Sequence, residues 1–104
     1  MSYGLVLRAI LEKKAITAYY DRQYRKMCPH VLGTKNGKYH GLFYQFGGKS
    51  NGHPIRADGS PENWRCIDID ALMNVEIIGI EKWHTAPDGT RPRNCMDIVD
   101  CQAR

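Results

Sequence analysis

Five short runs rich in β-branched and aromatic residues limit what this chain can become. They are AITAYYD (15–21), YRKMCPHVLG (24–33), YHGLFYQF (39–46), WRCIDI (64–69) and NVEIIGIE (74–81). Runs of this length and composition, bounded by turn signals, read as strands. Alternation puts Ile16, Ala18 and Tyr20 on one face of the first, and Arg65, Ile67 and Ile69 on one face of the fourth. Pro29 removes a ladder donor, so the second strand bends or lies at an edge there. Asn36-Gly37 is a strong hairpin signal between the second and third strands. Asp70–Met73 reads as one helical turn with Asp70 as its N-cap. Ahead of the strands, Val6, Ala9 and Ile10 share one helical face, with Arg8, Glu12 and Lys14 mostly opposite. This pattern predicts an amphipathic helix over 3–14, with Ser2 as N-cap.

Five strands in a chain of 104 residues are hard to arrange without exposed flat edges, and closing them into a small bent barrel manages those edges. The single turn between the last two strands suits SH3-like and Sm-like connections. The pattern therefore predicts an α+β, mostly β protein: a small Sm-like/SH3-type five-stranded barrel with the N-terminal helix over one open end. One domain covers 1–104, with its core at roughly 5–84 and a C-terminal extension at 85–104. The stretch NCMDIVDCQA (94–103) is compatible with either a short helix or a strand.

No apolar run approaches the roughly 20 residues of a membrane span, so no membrane partner is expected. The N-terminus has no basic start and no small-residue cleavage site and reads as a helix, not a signal peptide. A cytoplasmic location is therefore expected. Cys28, Cys66, Cys95 and Cys101 include no C-x-x-C pair. They are expected as reduced thiols acting as small hydrophobes, without metal, and no cofactor is expected. Charge is uneven. Lys13 to Arg56 holds nine basic residues and one acid, while Ala57 to Arg104 holds five basic residues and nine acids. Such asymmetry points to a basic face suited to phosphates, unless folding mixes the charges.

The connection at 47–63 is long for a compact domain, and long connections tend to be functional or disordered. Its only aliphatic residue larger than alanine is Ile55, so it is expected to add little stability and to be mobile without ligand. Gly47 and Gly48 permit close backbone approach. Ser50, Asn51 and His53 offer short donors, and Arg25 and Arg65 can grip a phosphate or carboxylate with paired hydrogen bonds. Tyr20, Tyr44 and Trp64 offer faces for base stacking. Each also has a plain structural use: Trp64 as core, Arg25 as a partner for Asp68, His30 bonded to a backbone carbonyl. Cys28, His30 and Asp68 contain the parts of a thiol nucleophile, but no oxyanion site is evident, so a non-enzymatic role is expected.

Taken in order, these segments resemble the WYL-domain family, in its small stand-alone form. The resemblance rests on Tyr20, Arg25, Pro29-His30, Gly33, Tyr44-Gln45, Gly48, Ser50, Trp64-Arg65 and Asp68, over roughly residues 5 to 84. It implies an Sm-like barrel serving as a ligand-sensing module in a regulatory role. The implied ligand is anionic, a single-stranded nucleic acid or a nucleotide, bound by Tyr20, Arg25, His30, Tyr44, Gln45, Ser50, Trp64 and Arg65. Two departures stand out. The Trp-Tyr-Leu tripeptide is absent, with Leu42-Phe43-Tyr44 nearest. No helix-turn-helix region precedes the strands, so base reading by a recognition helix is not expected. The rival expectation is a protein-interaction or oligomerisation module, including a homo-oligomer.

Overall fold

A computed structural model describes residues 2–79 and 81–104. The elements run α1 (Tyr3–Glu12), β1 (Ala15–Tyr20), β2 (Gln23–Lys35), β3 (Lys38–Gly48), β4 (Trp64–Asp68), β5 (Met73–Ile78) and β6 (Ile98–Gln102). Short 3₁₀ turns occupy Pro61–Asn63, Ile69–Ala71 and Asp88–Thr90. The protein is mostly β, with one N-terminal helix and an antiparallel sheet ordered β4-β3-β2-β1-β5, to which β6 adds by pairing with β2. The described residues thus give six strands where the sequence pattern predicts five. The sixth comes from the stretch compatible with helix or strand. The ladder is not closed, since the outer strands β4 and β5 do not pair with each other. The expected strand at 74–81 ends at Ile78; its Ile80 lies outside the described residues.

Local chemistry explains most boundaries. Asn36 and Gly37 both take positive φ, 51° and 78°, as a tight hairpin between β2 and β3 requires. The helix stops where Lys13 turns left-handed (φ 55°) and returns its N–H to the carbonyls of the last turn. Ser2 sits at the N-cap, but its hydroxyl donates to the Leu72 carbonyl (3.3 Å) rather than to the helix. The cap at the turn between β4 and β5 is Asp68, not Asp70: its carboxylate accepts the Asp70 N–H at 3.1 Å. Asp68 is thereby occupied and forms no ion pair with Arg25.

β2 is the long central strand, and its bend decides the topology. Up to Met27 it pairs with β1; from Val31 onward the same side pairs with β6. Pro29 lies between these two ladders, where the missing N–H leaves no broken bond, and the β3 register shifts between Pro29 and Val31. Gly33 is required beyond the bend, because a Cβ there would collide with the Ile98 carbonyl of β6. Two apolar clusters result. The larger packs Val6, Ala9 and Ile10 of α1 against Ile16, Met27, Leu32, Phe43, Ile67 and Ile69. The smaller gathers Val31, Leu42, Tyr44 and Trp64 with Ala86 and Cys95 of the C-terminal segment. No helix among the described residues is long and apolar enough to cross a membrane.

The thiol expectation is corrected. Cys66 and Cys95 form a disulfide with a Cα–Cα distance of 5.5 Å, within the range a disulfide spans. Their sequence spacing gave no hint, because β4 and the C-terminal segment meet only in the folded chain. Cys28 and Cys101 are free. Unfolded, unreduced protein is therefore expected to react with two equivalents of a thiol reagent, and with four after reduction. Opening a cross-link between cysteines 29 residues apart is expected to cost about 3–4 kcal/mol, read as a lower denaturant midpoint. Four reactive thiols without reduction would overturn the assignment.

Candidate functional site

Tyr20 at the end of β1, Arg25 on β2 and Arg65 on β4 line one cleft of about 250 Å³, with Ser50, Asn51 and His53 of the long loop opposite. The loop can start beside Arg25 because Gly48, paired with Arg25, has φ +81° and no Cβ to strike the Tyr24 carbonyl.

Both guanidiniums are unusual. Arg25 is 3% exposed and Arg65 7%, yet neither forms an ion pair among the described residues. The Arg25 guanidinium lies 5.0 Å from the centre of the Tyr20 ring. Its one hydrogen bond, to Gln45 Oε1, is 3.5 Å long. Arg65 donates to three carbonyls: Glu62 (2.6 Å), Trp64 (3.1 Å) and His53 (3.0 Å). In both, Nε is buried without a partner. Burial pulls the pKa of both below the ordinary arginine value, and the Arg25 charge depresses Arg65 further. Buried cations are normally paired; these two face a cleft instead.

Gln45 and Tyr44, the adjacent pair on β3, act on the loop. Gln45 is fully buried and donates to the carbonyls of Gly47 (3.0 Å) and Lys49 (2.9 Å). Tyr44 is also fully buried and offers no face for stacking. Its hydroxyl accepts the Gly59 N–H (2.8 Å) and donates to the Ser60 carbonyl (2.9 Å). Asn63, absent from the sequence-derived set, is fully buried too and brackets the loop by bonding the Arg56 N–H (2.8 Å) and Arg56 carbonyl (3.0 Å). The loop therefore differs from the expectation of a segment that adds little. Buried polar side chains stitch it down, a form of anchoring that counting apolar residues does not register.

His30 and Trp64 stand apart from the Arg25–Arg65 cleft. Trp64 is 6% exposed, and its indole N–H donates to Thr90 Oγ1 at 3.0 Å. The ring meets Tyr44 and His30 edge-on, with centroids 5.1 and 5.0 Å away. His30 Nε2 lies 3.1 Å from the His84 carbonyl and Nδ1 3.4 Å from an Arg91 nitrogen. These partners fix the tautomer: Nε2–H donates to the carbonyl, and Nδ1 accepts from Arg91. Burial first, then the charges of Arg91 and Lys13, push the imidazole pKa down to about 4. His30 is thus neutral near pH 7 and secures the C-terminal segment. Of the eight sequence-derived residues, the cleft gathers Tyr20, Arg25, Ser50 and Arg65. Tyr44 and Gln45 hold the loop that forms its wall, Trp64 belongs to the second apolar cluster, and His30 packs edge-on against Trp64.

Burial pushes the Cys28 thiol up to about 12, so it stays protonated near neutrality. Among the described residues, no group of three His, Cys, Asp or Glu side chains is arranged to hold a metal ion. No protein-family model matches the chain, and no curated protein and no solved structure matches it.

Two outcomes follow from this wiring. Tyr44→Phe strands the Gly59 N–H and Ser60 carbonyl and is expected to lower stability by about 1–3 kcal/mol; an unchanged urea midpoint would show that the loop is not held this way. His30 should make stability acid-sensitive. An unfolded histidine titrates near 6.5 and folded His30 near 4, so the unfolded chain binds more protons between these values. Its contribution is complete above about pH 6.5 and declines as pH falls toward 4. His30→Gln is expected to lose less stability than wild type between about pH 7 and pH 5, and equal losses in the two proteins would refute the assignment.

Proposed function

We propose that this chain is a WYL-like, Sm-type domain that recognises an anionic ligand, single-stranded nucleic acid or a nucleotide, through the Arg25–Arg65 cleft in a non-enzymatic, regulatory role. The strand order β4-β3-β2-β1-β5, with one 3₁₀ turn joining the outermost strands, supports the Sm-type reading. The ligand reading is carried by Arg25: a guanidinium 3% exposed, with one long hydrogen bond, an orphaned Nε and a second guanidinium as its electrostatic neighbour. Leaving such a charge unmatched costs free energy. An oxyanion in the cleft supplies the missing acceptor and screens the repulsion between the two arginines. Arg65, already holding three carbonyls, contributes its charge and keeps the His53 end of the loop at the cleft wall. Ser50 and Asn51 add hydrogen-bonding groups at the rim. The half-buried ring of Tyr20 stacks under Arg25, while the exposed, adjacent rings of Tyr19 and Tyr24 (centroids 5.4 Å apart) alternate onto the other face of the β1–β2 ladder.

A second reading rests on that same pair. With Met73, 64% exposed, Tyr19 and Tyr24 form an apolar patch of the kind that meets other proteins. Salt separates the two readings, since phosphate binding weakens steeply with salt and apolar contact does not.

Arg25 offers the sharper test. Arg25→Leu removes an unmatched buried charge, so the melting temperature should hold or rise by the equivalent of about 1 kcal/mol. Affinity for a single-stranded DNA oligonucleotide at low salt should fall at least about tenfold. A variant that loses stability and keeps its affinity would refute the proposal.

A further inference from the structure

Among the described residues, the buried side-chain nitrogens and oxygens without a hydrogen-bond partner are three arginine Nε atoms. Two belong to the cleft above. The third belongs to Arg91, which lines a separate cleft of about 190 Å³ together with Lys13, His30, Trp83, Asp88 and Arg104. We propose that this second cleft binds a small oxyanion group, phosphate or carboxylate, between Arg91 and Lys13.

Arg91 and Lys13 come from distant parts of the chain, and Arg104 adds a third basic side chain to the lining. Lys13 is the left-handed residue that ends α1, and its Nζ lies 5.9 Å from the centre of the Trp83 ring. The Arg91 guanidinium lies 5.4 Å from the centre of the Trp64 ring. That ring limits the arginine's freedom, and an ordered guanidinium presents its donors as a fixed fork. Only one Arg91 nitrogen has partners, Asp88 at 3.2 Å and His30 Nδ1 at 3.4 Å. The Asp88 side chain is 88% exposed, so this pair is screened by water and binds weakly. The neutral His30 imidazole accepts from Arg91 but cancels no charge. Positive charge, a buried orphan donor and aromatic walls therefore converge on a space sized for a few heavy atoms. Phosphate and carboxylate share the chemistry this geometry selects, oxygens that accept from a guanidinium and an ammonium together. The proposal stands on different residues from the Arg25–Arg65 reading and does not depend on it.

The experiment is a proton–nitrogen NMR titration of the oxidised, full chain with inorganic phosphate at constant ionic strength, with acetate in a parallel series. The Trp83 indole and Arg91 Nε–H resonances report this cleft, and those of Arg25 and Arg65 report the other in the same spectra. A saturable shift at Trp83 and Arg91 is expected with at least one of the two anions; which one responds tells phosphate from carboxylate. Lys13→Gln and Arg91→Gln should each weaken it about tenfold. Because Lys13 lies at a helix end, its variant serves as the test if Arg91→Gln fails to fold. Shifts that grow linearly with both anions overturn the proposal. So do saturable shifts that survive Lys13→Gln, or that appear only at Arg25 and Arg65.

Discussion

His30 ties the central strand β2 to the C-terminal segment. Its backbone carbonyl accepts the Ala103 N–H at 2.7 Å, its Nε2 donates to His84, and its Nδ1 accepts from Arg91. It follows Pro29 at the bend where one side of β2 passes from β1 to β6. The second apolar cluster is small, and Trp64 reaches it from β4 while Ala86 and Cys95 reach it from the C-terminal segment. Three polar groups of one residue bonded at three points along the C-terminal segment fix its position on β2 more sharply than apolar contact alone. The neutrality of the imidazole is part of the arrangement, because a charged ring would have no acceptor to offer Arg91.

The Arg25–Arg65 cleft follows the opposite rule. Arg25 is buried without matching partners, and the residues around it maintain that condition. Gln45 directs its amide toward the loop carbonyls and leaves only a distant oxygen for the guanidinium. Tyr44 and Asn63 set the far side of the loop. Polar groups that saturate one another thus frame a cation that is not saturated. Native proteins place such local conflicts at functional sites and offset them elsewhere. Here the offset is a loop held by buried hydrogen bonds together with a disulfide fastening β4 to the C-terminal segment.

Features set by neighbours in sequence were legible in the sequence. The helix, the Asn36-Gly37 hairpin, the bend at Pro29 and the turn between β4 and β5 each depend on a few adjacent residues. Arg25, Arg65, Tyr20 and Ser50 were legible as a set whose members meet in one cleft. What was hidden depends on which face turns inward. Tyr44 stood out as an aromatic, yet its hydroxyl does the work and its ring is enclosed. Asn63 resembled any loop asparagine, and its role exists only because Arg56 and Ala57 fold back to it. The Cys66–Cys95 bond and the pairing of β6 with β2 bring together residues far apart in sequence, which no local pattern encodes. His30 stood out for its place after a proline, but its destination was set by the 84–91 segment, whose sequence alone showed no periodicity.

The pairing of β2 with β6 has a consequence in time. Val31 to Thr34 can form their β3 ladder as soon as the Asn36-Gly37 hairpin closes, within microseconds for an isolated hairpin. Their other edge waits for Ile98 to Gln102, which are made much later than β2 and β3. During synthesis that edge is bare, and Val31, Leu32 and the Trp64 ring lack the cover that Ala86, Cys95 and Cys101 later provide. A half-made chain therefore presents an unpaired strand flanked by apolar side chains, the surface most prone to capture another strand. Asp97 and Asp100, on either side of the two exposed aliphatics Ile98 and Val99, place charge on the strand that finally closes it. Their repulsion discourages copies of the chain from lending each other the missing strand.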